Sequence, residues 1–176
     1  MLEVEVKYRA HLAAVKSRLP SLGFSPSGAQ SEEDVYFQHP CRNFAETDEA
    51  LRVRVVGGRV EVTYKGPRLG LGGKTRAEIT AEADLGVLEV LERLGFKPVA
   101  RIRKRREYYT GRGLTVSLDW VEGLGEFVEI EKVVEGEGEV AAAVAEIRRL
   151  AAELGVGEEV GETYLELFLK AYKGGG

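Results

Sequence analysis

The residues best able to do chemistry come in charged sets spaced two apart. Glu3, Glu5, Lys7 and Arg9 alternate with Leu2, Val4, Val6 and Tyr8 at the start of the chain. The same spacing recurs at Arg52 and Arg54, at Arg59, Glu61, Thr63 and Lys65, and at Lys74, Arg76, Glu78, Thr80 and Glu82. It returns at Lys104 and Arg106, at Thr115, Ser117 and Asp119, and at Glu129 and Glu131. A period of two places such residues on one face of a strand. Arginine forks match phosphate oxygens bidentately, and carboxylates two apart can gather hard oxygen ligands around Mg²⁺ or Mn²⁺. Bases for phosphate and acids for a divalent ion are the inventory needed to hold a polyphosphate.

Gathering these faces into one interior would bring eight acids (Glu3, Glu5, Glu61, Glu78, Glu82, Asp119, Glu129, Glu131) against eight bases (Lys7, Arg9, Arg52, Arg54, Lys65, Arg76, Lys104, Arg106). Each ion in a dry interior costs several kcal/mol even after relaxation, and the sum far exceeds a net stability of about 5–15 kcal/mol. The charged faces are therefore either solvated on the outside or line a water-filled channel that takes ligands. An eight-stranded closed sheet has room for one small ligand.

The elements that must position these residues follow from the same patterning. Strands are expected at 2–9, 30–38, 50–56, 59–65, 74–82, 99–109, 114–121 and 126–134. Gly57-Gly58 between two of them suits a primed hairpin turn. Helices are expected at 11–22, stopped by Gly23, at about 85–94, at 139–154 and at 162–172. The 66–73 stretch, GPRLGLGG, reads as a flexible loop that could cover the mouth of a channel. Its LGLGGKT end is not a P-loop, because Arg68 stands where the first glycine is needed and no helix follows.

Bulk properties narrow the class. A chain of 176 residues, 44% hydrophobic and 31% charged, can bury a sizeable core and reads as one domain over 1–173 with a frayed tail at 174–176. Its net charge of −4 gives no basic footprint for nucleic acid. No apolar run is long enough to span a bilayer and the first residues read as strand, so a cytoplasmic protein is expected. Cys41 is the single cysteine, which excludes an internal disulfide and a multi-cysteine zinc site. Asn, Gln, Cys and Met total five residues, a thermophile bias.

These motifs resemble a known family. The opening ExExK of Glu3, Glu5 and Lys7 is similar to the signature of the CYTH superfamily, the triphosphate tunnel metalloenzymes, which include class IV adenylate cyclases, thiamine triphosphatases and inorganic triphosphatases. The resemblance continues through DVYFQHP (34–40), EALRVR (49–54), TYKGP (63–67), KTRAE (74–78), KRREYY (104–109), SLDWVEGLGEFVEIE (117–131) and TYLEL (163–167). The stretch YFQHPCRNFAETDEALRVR is most like class IV adenylate cyclases and their archaeal relatives. The resemblance implies an α+β fold, an eight-stranded antiparallel β-barrel forming a tunnel with helices packed outside. By motif position it implies triphosphate contacts at Lys7, Arg52, Arg54, Lys65, Arg76, Lys104 and Arg106. It implies metal ligands, for Mg²⁺ or Mn²⁺, at Glu3, Glu5, Asp119, Glu129 and Glu131, with Glu5, Asp119 and Glu129 catalytic. Thr80, where many relatives carry a further Glu, is a departure that leaves the role of Glu78 open.

The expected activity is conversion of ATP to cyclic AMP and pyrophosphate. A triphosphatase acting on thiamine triphosphate, inorganic triphosphate or a nucleoside triphosphate is the alternative, and a non-catalytic polyphosphate- or RNA-binding module a third. The doubled ExE pairs argue against the third, since carboxylates weaken plain anion binding. The expected partner is a small triphosphate, with no nucleic acid or membrane; a homodimer is common among similar proteins. In RIRKRR (101–106), Lys104 and Arg106 share the inward face while Arg101, Arg103 and Arg105 face solvent. His11, His39, Cys41 and Trp120 are given structural or surface roles.

Overall fold

The computed structural model describes residues 2–70 and 75–173. Its elements, in chain order, are β1 (Leu2–Arg9), α1 (Leu12–Arg18), β2 (Ser25–Gln38), α2 (Phe44–Thr47), β3 (Ala50–Val56), β4 (Arg59–Lys65) and β5 (Glu78–Ala83). These are followed by α3 (Gly86–Arg93), β6 (Lys97–Gly111), β7 (Leu114–Val121), β8 (Gly125–Val134), α4 (Val140–Leu154), β9 (Glu159–Val160) and α5 (Tyr164–Lys173). The class is α+β, as the alternating strands and interspersed helical periods require.

The chain divides into two compact units that are interleaved in sequence. The first holds residues up to Gln30, 69–76 and Arg105–Gly161, and the second holds Ser31–Arg68, Ala77–Lys104 and the residues from Glu162 onward. The two longest strands, β2 and β6, each supply a segment to both, so neither unit is a sequential domain.

In the first unit the hydrogen-bonded strand order is β2-β6-β7-β8-β1-β9, with β8 antiparallel to both β1 and β7. One face is apolar: Val4, Val6 and Tyr8 of β1, Val116 and Leu118 of β7, and Val128 and Ile130 of β8. Against it pack Leu12 and Val15 of α1 and Ala143, Val144, Ile147, Leu150 and Leu154 of α4. The Ala-rich sequence of α4 favours helix, and Gly155 ends it in the left-handed conformation (φ 64°). Leu and Ile side chains fully buried in this layer are each worth about 1.5–3 kcal/mol of transfer free energy. That packing fixes which way every alternate residue must point, because a one-residue slip would exchange the faces.

In the second unit the order is β5-β4-β3-β2-β6. Gly57 and Gly58, both at positive φ (54° and 78°), form the expected tight turn of the β3–β4 hairpin. A smaller core of Val35, Phe37, Val53 and Val60 lies on one face, with Val87, Leu88 and Leu91 of α3 packed against it. A capping box starts α5: the Thr163 N–H donates to Glu166 at 2.7 Å and the Glu166 N–H donates to Thr163 Oγ1 at 3.1 Å.

Eight strands correspond to those read from alternation, and β9 is a ninth of two residues, too short to leave a periodic signal. β2 begins at Ser25, ahead of its expected start, because its first half is polar and exposed. The expected strand at 74–82 is Glu78–Ala83, preceded by a single bridge between Glu3 and Arg76. Helix α1 stops at Arg18, since Pro20 cannot continue it, and a 3₁₀ turn over Pro20–Leu22 leads to Gly23. Part of the expected loop at 66–73, the Lys74 that opens KTRAE, and the 174–176 tail lie outside the described residues. Among the described residues no helix is long and apolar enough to cross a membrane.

Candidate active site

With Val4 and Val6 committed to the core, the charged residues of β1 share the opposite face of the first unit. Strand register then builds rows across it. Lys7 lies opposite Glu129 and Glu129 opposite Ser117; Glu5 lies opposite Glu131 and Glu131 opposite Thr115. Residues paired in this way have Cβ atoms about 4.5–5.5 Å apart and point to the same side.

These rows hold a buried ladder of ion pairs. Lys7 Nζ is 3.0 Å from Glu129 Oε1, and Arg106 Nη2 pairs with the other oxygen of Glu129. The Arg106 fork then closes on Asp119, Nε to Oδ1 at 2.6 Å and Nη2 to Oδ2 at 2.5 Å. Lys7, Arg106, Asp119 and Glu129 are 2, 8, 0 and 6% exposed, so all four charges are withdrawn from bulk water. Two acids against two bases sum to neutrality, which is why burial is tolerated; an unpaired ion here would be strongly destabilising.

Beside the ladder the balance tips negative. Burial, and then the charges of Glu3 and Glu5, push the Glu131 carboxyl up to about 7, with Glu129 adding to the rise and Arg106 opposing it. Among the described residues no group of three or more His, Cys, Asp or Glu is arranged to hold a metal ion. Magnesium, however, is usually held through one or two carboxylates together with substrate phosphates. The opposed Glu5 and Glu131, hard oxygen donors crowded by like charge, fit that partial donor set. Arg76 is buried and bridges to Glu3 through its backbone.

The second unit holds a different cluster. Asp34 of β2 lies opposite Arg54 of β3 and accepts from Nε at 2.7 Å and Nη2 at 2.8 Å. Lys104 Nζ lies 2.9 Å from Asp34 Oδ2 and 2.7 Å from Glu32 Oε2, and that Glu32 oxygen is 3.0 Å from Arg54 Nη2. Burial alone would raise the Asp34 carboxyl, but the Arg54 hydrogen bonds and the charges of Lys104, Arg54 and Arg52 hold it well below the usual carboxylate range. Arg52 Nη2 donates to Thr63 Oγ1 at 3.2 Å, and Thr63 Oγ1 lies 3.0 Å from Thr80 Oγ1. Lys65 pairs with Glu78 at 2.6 Å.

The structure thus gathers Glu3, Glu5, Lys7, Arg106, Asp119, Glu129 and Glu131 onto one sheet of the first unit. It places Arg52, Arg54, Lys65 and Lys104 in the second unit. Sequence reasoning missed Glu32 and Asp34, the carboxylates that fix Arg54 and Lys104. Their signal was available, because EEDVY (32–36) carries the same acid-x-acid spacing as the charged strands. Arg101, Arg103 and Arg105 are exposed, the first two paired with Glu33. His39 packs edge-on against Phe96, its centroid 5.1 Å away, and Cys41 is exposed.

The sequence and the fold are similar to those of known proteins. The CYTH domain model matches residues 1–164. A Methanocaldococcus jannaschii protein, MJ0240, provisionally named an adenylate cyclase, is 38% identical over 172 residues, 95% of this chain and 98% of its own. The adenylate cyclase CyaB of Aeromonas hydrophila is 28% identical over 92% of this chain and 84% of its own. The solved structure of the PH1819 protein from Pyrococcus horikoshii OT3 is 42% identical, covers 96% of this chain and 98% of its own, and superposes with a TM-score of 0.88.

Proposed function

Because the chain belongs to the CYTH family, whose enzymes act on triphosphates, we propose that it is a metal-dependent adenylate cyclase converting ATP to cyclic AMP and pyrophosphate. The observation that carries this reading is the buried ladder of Lys7, Glu129, Arg106 and Asp119 beside the crowded Glu3, Glu5 and Glu131. A structural sheet face gains nothing from desolvating such a set, whereas a polyphosphate with a divalent ion uses every member. The names of the Methanocaldococcus and Aeromonas relatives support the cyclase over other triphosphate chemistry.

In this reading Lys7 and Arg106 hold phosphate oxygens, Arg106 presenting a planar fork and Lys7 a point charge. By motif position the same role is implied for Arg76 of the first unit and for Arg52, Arg54, Lys65 and Lys104 of the second. Glu3, Glu5, Asp119, Glu129 and Glu131 would hold Mg²⁺ or Mn²⁺. When bound, the metal supplies positive charge that acidifies a nearby hydroxyl and offsets charge on the leaving group. The ribose 3′-oxygen forms a bond to the α-phosphorus, the bond from that phosphorus to pyrophosphate breaks, and the hydroxyl proton passes to a carboxylate among Glu5, Asp119 and Glu129. The bases then stabilise the departing pyrophosphate.

The test is to incubate the purified protein with ATP, and separately with thiamine triphosphate and tripolyphosphate, with Mg²⁺ or with EDTA, and to resolve the products. Cyclic AMP and pyrophosphate that vanish with EDTA are expected. Orthophosphate release would assign a triphosphatase instead, and full turnover in EDTA would remove the metal from the mechanism.

A further inference from the structure

Every charged member of the ladder has a partner, but one polar group on the same face has none. The Ser117 hydroxyl is buried, its residue 1% exposed, and it makes no hydrogen bond among the described residues. Its position is central. Ser117 stands directly across from Glu129, in the row that runs from Lys7 through Glu129, and two residues from Asp119 on the same strand face. Both carboxylate oxygens of Glu129 are engaged, one by Lys7 and one by Arg106, so the glutamate opposite is committed to cations. The serine is therefore a buried hydroxyl between an occupied glutamate and an aspartate gripped by Arg106.

Unsatisfied buried hydroxyls are uncommon because each forfeits the hydrogen bonds it had in water. Nothing in the packing demands a hydroxyl here, since Val116 and Leu118 on either side carry the core contacts and alanine would fill nearly the same volume. A group that costs stability in the free protein, at a position where Lys7 and Arg106 attract an anion, has its natural partner in that anion. We infer that Ser117 is a further substrate-binding residue, its hydroxyl donating to a phosphate oxygen of the triphosphate that Lys7 and Arg106 hold. The inference rests on the triphosphate reading and adds a neutral donor to a site otherwise made of full charges. A short, uncharged donor constrains where one oxygen sits without adding another ion to desolvate.

Calorimetric titration with inorganic tripolyphosphate and Mg²⁺, together with thermal melts of the ligand-free protein, tests it. Ser117→Ala removes the orphaned hydroxyl, so the ligand-free melting temperature should stay level or rise. Tripolyphosphate affinity should fall by about tenfold or more, as for loss of a hydrogen bond to a charged acceptor. Thr115→Ala, in the neighbouring row, should leave affinity within about twofold. The inference fails if Ser117→Ala binds as the parent protein does, if the two variants lose affinity equally, or if Ser117→Ala lowers the ligand-free melting temperature. The last result would mean the hydroxyl is already bonded in the free protein and is structural. A parent protein that binds no tripolyphosphate under any condition would overturn the triphosphate reading itself, a result distinct from the other three.

Discussion

The two charged clusters are built from the same residue types yet are balanced differently. In the second unit, Glu32 and Asp34 each contact both Arg54 and Lys104, and the Asp34 carboxyl is held well below the usual carboxylate range. In the first, Glu129 and Asp119 pair with Lys7 and Arg106, while burial and the charges of Glu3 and Glu5 push the neighbouring Glu131 carboxyl up to about 7. A set of matched ion pairs gains from keeping its charges and holds its bases in place. Carboxylates crowded by like charge gain from acquiring a cation. Identical side chains thus form matched ion pairs in one place and crowd like charges beside such pairs in the other.

The largest expected effect breaks the matched ion pairs of the second unit. Asp34→Ala leaves Arg54 and Lys104 sharing one carboxylate, and should cost about 3–5 kcal/mol in denaturant unfolding, the usual penalty for removing one partner of a buried ion pair. A loss below about 1 kcal/mol would show that the cluster is solvated and the contrast unfounded.

The next effect has the opposite sign and sharpens the comparison through pH. Glu131 holds its proton more tightly folded than unfolded, so its contribution is fully favourable below about 4.5 and is lost as pH rises through about 7. Glu131→Gln should therefore stabilise the metal-free protein above pH 7, by up to about 3 kcal/mol from the size of that shift, and give no gain near pH 4. Asp34 behaves conversely, because its carboxyl is depressed: its contribution is present above about 3.8 and lost only as pH falls below that. Melts across pH 3–9 of the parent, Glu131→Gln and Asp34→Asn would reveal the two signs, and parallel profiles would refute the distinction.

Ligand binding gives a third test. Lys104→Ala should weaken tripolyphosphate binding by about ten- to a hundredfold, the worth of a charge-assisted contact. Asp119→Asn should instead tighten binding in EDTA by about tenfold, since it releases Arg106 from a carboxylate while keeping the side chain's shape. Unchanged metal-free affinity in Asp119→Asn would mean that Arg106 does not contact phosphate. The smallest effect is Arg103→Ala, on the outer face of β6. An exposed pair contributes about 0–1 kcal/mol, so stability and affinity should barely move. Equal effects at Arg103 and Lys104 would contradict the strand register.

How legible all this was depended on the range of the interaction. The β1 and β3–β4 faces and the division of RIRKRR into exposed Arg101, Arg103 and Arg105 and buried Lys104 and Arg106 could be read directly, because side-chain alternation is a property of adjacent residues. The boundaries of β5 and α1 were less legible, since β5 is exposed along its length and α1 ends at a proline where its apolar pattern continues. Glu32 and Asp34 escaped because the strand at 30–38 was not among those compared for charged faces.

By itself, the sequence determined the strand faces, the supply of bases and acids, and the resemblance to triphosphate enzymes. Those follow from local periodicity and from residue chemistry. Only the tertiary structure decided the pairings: that Glu129 bridges Lys7 and Arg106 across 122 and 23 residues of chain, that Asp34 meets Arg54 and Lys104, and that the Ser117 hydroxyl has no partner among the described residues. Coulombic and hydrogen-bond energies depend on distance in space and on burial, and neither is a function of separation along the chain. The charge balance of each cluster is therefore set by strand register, which hydrophobic packing fixes on the opposite face of the sheet.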